Sequence, residues 1–343
     1  MNRSVGKLRA GGLKVQEGGA AVVSLFPAGS PGLGPTVCGP LARQQLNLSL
    51  LAHLGGAEDR GHASIFCTSR EDGPQSYALL STLHQGAAAF RLLAGTCIIS
   101  LFPHDRRPDL MGAFCLSLSR AGVMLRGLAS SPAAIAAVIS LRAKQKAIAA
   151  LFEDFEFRAY RSPEEFAVVL HPPEAAVREV VASYQEKAPR IYTLVQQDDL
   201  DLWEVAVSSR AALREVGDWL RRLGEDGGRL PFLVAVPQPP DRLRLVFCLS
   251  DEGSRTLLRL GGGREAGLNP RRRGPVAAFF THGPHFGDRY GIAQVLAAAL
   301  EEAGAPLLAL SCAVSSLSVV VPQSLAAAAR RALQGAFGAP HGD

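Results

Sequence analysis

An α+β fold of tandem strand–helix–strand–strand–helix units is predicted by three observations. The first is the order of signals in Val276–Phe337. Val276–Thr281 is an apolar run of strand length, and His282–Arg289 is a loop punctuated by Gly and Pro. Ile292, Val295, Leu296, Ala299 and Leu300 then follow the i, i+3, i+4 spacing of a helix with one buried face, and Gly304 stops it. Pro306–Leu310 and Leu317–Val321 read as strands, and Pro322 opens a second helix reaching Phe337. The second observation is repetition. Arg289-Tyr-Gly-Ile aligns with Arg107-Pro-Asp-Leu and Ser30-Pro-Gly-Leu; fifteen residues on from each start stand Gly304, Gly122 and Gln45, with no gap, each leading into a new strand. The third is composition: 48% apolar and 20% charged residues describe a packed chain rather than a disordered one.

Taken in order, the 343 residues divide into a tail and four modules. Residues 1–19 form the tail, with a short strand or hairpin at Leu8–Val15. Module one, 20–94, has a strand at Ala21–Phe26 and a helix over Thr36–Gln45 that Pro40 shortens or kinks. Strands at Leu46–Leu54 and His62–Thr68, a helix at Gln75–Gln85 and an edge strand at Phe90–Leu93 follow. Module two, 95–161, has strands at Cys97–Phe102, Val123–Ala129 and Ala134–Ser140 and helices at Pro108–Ala121 and Arg142–Phe152, with Phe155–Tyr160 closing the sheet. Residues 162–262 read as a degenerate third module carrying an extra strand, Glu164–Leu170, and an extra helix, Glu174–Glu186. A strand pair, Arg190–Gln196 and Leu202–Val207, turns at Gln197-Asp198-Asp199. A helix at Ser209–Leu223, strands at Leu230–Val236 and Leu243–Leu249 and a helix at Asp251–Leu260 complete it. Residues 263–275 read as a basic Gly/Pro linker, and 276–340 are module four. Five of the six elements of a ferredoxin-like βαββαβ unit are present in module four, with antiparallel sheets and helices on one face expected.

Charge and cysteines narrow the function classes. The net charge is +5, yet basic residues are dispersed and their one dense cluster, Arg271-Arg272-Arg273, falls in the linker, so no nucleic-acid partner is expected. No apolar run approaches the roughly 18 residues of a membrane helix, and no apolar core follows the basic N-terminus. The six cysteines are scattered singly in apolar surroundings. Reduced, buried thiols in a cytoplasmic protein are expected.

The repeats resemble ACT domains, specifically the pair in the regulatory half of aspartokinases. Ala121-Gly122-Val123 and Ala303-Gly304-Ala305 match the family's closure of the first helix into the second strand. Leu310-Ser311-Cys312 through Val320 is similar to the family's second module, with alternating Ser and aliphatic residues. Tyr290, Asp109 and Gln45 stand where the family has Pro, Gly and Gly. The resemblance implies modules paired side by side and effectors held at the seams between them.

Catalytic motifs are not found. The sequence holds no phosphate loop, no G-x-S-x-G and no H-E-x-x-H. With only the tail before module one, the family's kinase domain is expected to be missing, and the chain is expected not to be an enzyme and to need no cofactor. His282, His285 and Asp288 have a spacing that zinc accepts, but a plain loop is the preferred reading and no metal is assigned. A binding site remains. In module four the loop ends at a helix N-terminus that favours a carboxylate, Arg289 adds a cation and Asp288 an anion, matching the two charges of an α-amino acid. Helix capping by Asp288 is the alternative reading. The candidate ligand set is His285, Phe286, Gly287, Asp288, Arg289, Tyr290, Gly291, Ile292 and Ser311, with Asp105, Arg107, Pro108, Asp109 and Leu110 offering the same chemistry in module two. Module one, with only Ser30 and Thr36 in its loop, ranks last.

The expectation is a non-catalytic regulatory protein that binds an amino acid, such as lysine, threonine or another aspartate-family product, and forms a homodimer through its modules. The alternative is a scaffold subunit that associates with a separate biosynthetic enzyme, such as an aspartate kinase, without a ligand of its own.

Overall fold

The computed structural model describes residues 7–56, 61–170, 191–207, 210–238, 241–260, 269–283, 289–313 and 316–338. Strands β1 (Leu8–Ala10) and β2 (Gly12–Leu25) lead through a π-helical turn, Gly34–Cys38, into α1 (Gly39–Arg43). Strands β3 (Leu50–Leu54) and β4 (Ala63–Ser69), helix α2 (Asp72–Leu83) and the long β5 (Ala89–Phe102) complete a first unit. The second contains α3 (Pro108–Arg120), β6 (Gly127–Ser130), β7 (Ile135–Ser140), α4 (Lys144–Asp154) and β8 (Phe155–Phe157). After α5 (Pro163–Leu170), the third runs through β9 (Thr193–Val207), α6 (Arg210–Glu225), β10 (Phe232–Gln238), β11 (Arg242–Leu249) and α7 (Asp251–Arg259). The fourth is β12 (Arg271–His282), α8 (Ile292–Glu302), β13 (Ala309–Ala313), β14 (Ser316–Pro322) and α9 (Ala326–Phe337).

The four long strands explain the architecture. Each serves two units. The Gly12–Gln16 stretch of β2 pairs with Ile98–Phe102, whereas its Ala21–Leu25 stretch pairs with β4 and with Ala89–Leu93. β9 and β12 exchange their ends in the same way. Register shifts at Gln16/Gly19/Ala21 and Arg273/Val276/Ala278 let one strand serve two sheets, as bulges do. Units one and four then join at β3–β13, and units two and three at β6–β10, both antiparallel. The twelve strands close into one ring, in the order β10-β11-β9-β12-β14-β13-β3-β4-β2-β5-β7-β6. The edges of these strands are thus paired within the chain.

Alternation along the strands sorts side chains into three cores. In β7, Ala136 and Val138 face the interior of the ring while Ile135, Ala137 and Ile139 face helices. Both faces are buried, which is why this alanine-rich stretch is a strand. Helices α3, α4, α6 and α7 cover units two and three over one core, and α1, α2, α8 and α9 cover units one and four over another.

Four expectations are corrected. Glu164–Leu170 lies in helix α5, not in a strand. Ser162 Oγ accepts from the Glu165 amide, and Glu165 accepts from the Arg161 amide, a reciprocal cap at the helix start. Residues 193–207 form one strand, because Asp199 takes a left-handed backbone (φ 54°) that makes a bulge instead of a turn. β8 does not close the sheet; it pairs in parallel with β1 in a separate two-stranded sheet. Arg271–Arg273, assigned to a linker, begins β12 opposite Glu204–Leu202, with Arg272 2.7 Å from the Asp201 carboxylate. The helix expected at Glu174–Glu186 lies outside the described residues.

Candidate functional site

The first strand of three units leads into a loop and then a helix, and at each seam that loop faces the helix of the paired unit. The consequences differ. At the seam of units one and four, the loop residues Gly32, Leu33 and Gly34 face Ala297, Leu300 and Glu301 of α8 and the Gly304–Leu307 approach to β13. They enclose a cavity of about 390 Å³. A pseudo-symmetric counterpart lies across the seam, where Arg289–Gln294 face Cys38, Leu41 and Ala42. It holds only about 20 Å³.

The larger cavity has a polar edge on an apolar floor. A Cβ built on Gly34 would stand 3.4 Å from a Glu301 carboxylate oxygen and 3.7 Å from the Gln294 carbonyl. That Gln294 carbonyl is buried without a hydrogen-bond partner. Glu301 lines this cavity and Gln294 lines the smaller one, so one anionic acceptor faces a stretch with almost no side chains. The arrangement suits a cationic donor such as an ammonium group. Nucleophilic chemistry is not supported here: burial pushes the thiols of Cys38 and Cys312, which line the smaller cavity, up to about 12.

The loop over the large cavity is held from below by imidazoles. His62 Nε2 donates to the Pro31 carbonyl at 2.8 Å, and His84 Nε2 donates to the Thr36 carbonyl at 2.8 Å. Each of those carbonyls stands four residues before a proline, Pro35 and Pro40. Proline has no N–H to return to it. Phe26 stacks on His62 with ring centres 4.5 Å apart and meets the edges of His84 and Phe90.

Of the sequence-predicted residues, Arg289, Tyr290, Gly291 and Ile292 line the small cavity. Gly291 holds a left-handed backbone (φ 85°) at the start of α8, and Ile292 is buried in the core of units one and four. His285, Phe286, Gly287 and Asp288 lie outside the described residues. Ser311 lies on the seam strand β13 opposite Ala52 but outside both cavities; it faces the ring interior and donates to the Ser130 carbonyl. In unit two, Arg107 and Asp109 are paired with each other. Arg229 donates to the Asp105 carbonyl and the Leu230 amide to the Arg106 carbonyl, so the chain itself fills the loop end of that seam, while a cavity of about 470 Å³ lies further along α3 and α6. Pro108 opens α3, and Leu110 is buried in the core beneath it. His282 Nδ1 lies 3.2 Å from Ser316 Oγ. Among the described residues no group of three or more His, Cys, Asp or Glu is placed to hold a metal ion.

No family model and no curated protein matches the sequence. Solved structures do. The chain resembles the aspartate kinase from Synechocystis at 18% identity and a TM-score of 0.78, over 96% of this chain and 56% of that one. The chain thus spans little more than half the length of that relative. Two others are the ligand-free regulatory subunit of aspartate kinase from Thermus thermophilus (14% identity, 43% and 99% of the two chains, TM-score 0.39) and E. coli aspartokinase III in complex with lysine and aspartate (14%, 44% and 34%, TM-score 0.33). These two scores are too low to carry argument. The first likeness shows the fold: a mixed α/β chain with a large antiparallel sheet, like that of an aspartate kinase. It also overturns one expectation. The chain was expected not to be an enzyme because the kinase domain was taken to be missing. A protein that follows an aspartate kinase over 96% of its own length gives no ground for that exclusion, which is withdrawn. No helix among the described residues is long and apolar enough to cross a membrane.

Proposed function

We propose that the chain is aspartokinase-related and binds a free α-amino acid as a regulatory effector at the seam of units one and four, the units read as ACT modules. The observation that carries this reading is the 390 Å³ cavity between the glycine-rich loop of unit one and α8. Its volume suits a small ligand rather than a nucleotide pair or a peptide. Glu301 receives the ammonium group. The amides of Leu33 and Gly34, at the start of the helical turn, face the carboxylate. Ala297 and Leu300 contact the side chain and set its size. Because two units build the seam, a ligand that fits one arrangement of them better than another shifts the chain between the two.

The test is a thermal-shift screen of the whole chain against the twenty amino acids, repeated with Ala297→Phe, which fills the cavity, with Glu301→Gln, and with Asp288→Ala. A ligand at a hundred times its dissociation constant adds about 2.7 kcal/mol of stability. The expected result is stabilisation by one or a few amino acids that Ala297→Phe and Glu301→Gln remove and Asp288→Ala leaves. Loss only with Asp288→Ala moves the site to the loop of unit four. No response to any amino acid overturns the reading.

A further inference from the structure

We propose that His53, His62 and His84 form a proton-operated latch on the glycine-rich loop of unit one, so that the cavity beneath that loop is held in shape when the imidazoles are neutral and loosened when His62 is protonated. The latch regulates the site proposed above, yet the loop movement can be tested without any ligand.

The geometry comes first. A carbonyl only accepts, so the bonds to Pro31 and Thr36 place the neutral proton of both rings on Nε2. The Nδ1 atom of His62 is then a bare acceptor, and it is buried with no partner. His53, on the neighbouring strand β3, is 2% exposed and its Nδ1 is likewise unpartnered. The two rings lie 5.4 Å apart, centre to centre. Beneath them, on the same sheet face, the hydroxyls of Ser24 and Ser64 bond to each other. Loop, ring and floor are thus in register: Pro31 adjoins Gly32, and Thr36 is two residues from Gly34, both of which line the cavity.

Adding a proton to His62 Nδ1 creates a buried N–H and a positive charge at an atom that has no hydrogen-bond partner among the described residues. Among the described residues, His84 acts on His62, and His62 and Arg244 act on His53, each against protonation, with Arg244 itself paired to the Glu204 carboxylate. Phe26, stacked on His62, and Phe90, against His84, are neutral. Relief requires the ring to reach water, and among the described residues the bonds to the loop and the stack on Phe26 stand in the way. Burial, above all, holds both His53 and His62 below the ordinary imidazole value. The folded form therefore binds fewer protons than the open one, and the latch weakens as pH falls below about 6.5.

The experiment is hydrogen exchange followed by mass spectrometry on the full chain between pH 7.5 and 5, with rates normalised to the intrinsic rate at each pH. Residues 27–37 report the latch and residues 108–120, in α3, serve as control. Protection of 27–37 is expected to fall at least tenfold across the range while that of the control stays constant. His62→Gln keeps a donor for Pro31 but does not titrate, so its loop protection is expected to be flat with pH. His84→Gln provides a second variant should the first not fold. Loop protection that is flat in the wild type, or that falls equally in wild type and in both variants, overturns the proposal. These outcomes are independent of the amino-acid screen: the latch can fail while a ligand binds, and a ligand can be missing while the latch works.

Discussion

The two seams of this molecule share one topology and use it in opposite ways. Between units two and three, α3 and α6 come so close that glycines are needed at the contact. A Cβ on Gly112 would lie 2.4 Å from the Gly217 carbonyl oxygen, and one on Gly224 would lie 2.6 Å from the Asp109 amide. The loop there is sealed by Arg229 and Leu230. Between units one and four, a cavity remains where α8 meets the loop, and a Cβ on Gly32 would meet nothing within 4 Å. The loop is secured by two imidazoles rather than by the opposing unit. A closed seam contributes packing and a fixed angle between sheets. An open one has room for a ligand, because the groups that would fill it are missing on both sides.

The sharpest way to break this contrast is to exchange the glycines. Gly112→Val drives a side chain into backbone atoms that cannot give way, and a loss of about 3 kcal/mol is expected, at the upper end of overpacking costs. Gly32→Ala at the open seam is expected to change stability by less than about 1 kcal/mol, since space is available and Gly to Ala also restricts the unfolded chain. Urea unfolding of both variants measures the difference. Equal costs would mean that the two seams are packed alike in solution.

A smaller effect is expected from the bond that joins units two and three across β6. Ser130 is fully buried, and its hydroxyl accepts from the Leu233 amide at 2.8 Å while its carbonyl accepts from Ser311. Ser130→Ala leaves the amide of Leu233 without a partner and is expected to cost about 1–2 kcal/mol. Ser311→Ala removes a donor whose acceptor carbonyl retains its strand contacts, and is expected to cost about 1 kcal/mol or less. Reversal of that order would show that the interior ties to unit four matter more than the seam between units two and three.

Much of this architecture can be read in the chain, and the exceptions have physical causes. Helix α8 and strands β13 and β14 are legible because their apolar residues repeat with one clear period, and the Gly122 and Gly304 stops mark turns that need a left-handed residue. The sharing of β2, β5, β9 and β12 between units is not legible. Strand periodicity gives the face of a residue but not the length over which one partner is exchanged for another. Asp198-Asp199 looked like a turn because a bulge and a turn call on the same left-handed residue. The candidate cavity was ranked last for lacking charge in its own loop. Its acceptor, Glu301, comes from a helix more than 250 residues away in the chain, and the β3–β13 pairing brings that helix to the loop. The prolines at 35 and 40 were the one local signal, since each frees the carbonyl that an imidazole takes.

The smallest effect concerns the residues that looked most like a ligand pair. Arg107 and Asp109 in unit two bond to one another at the start of α3, with the Arg107 side chain 45% exposed. An ion pair this open to solvent is worth only about 0.2–1 kcal/mol and weakens with salt. A double-mutant cycle with Arg107→Ala and Asp109→Asn is expected to give a coupling in that range, roughly halved at high salt. Neither variant is expected to change the response to amino acids, because each charge is already neutralised by its partner and the space beside them is taken by Gly224 and Arg229. A ligand response lost with either variant would instead mean that the pair opens to receive a substrate, and that the closed seam of units two and three is a second binding site rather than a fixed joint.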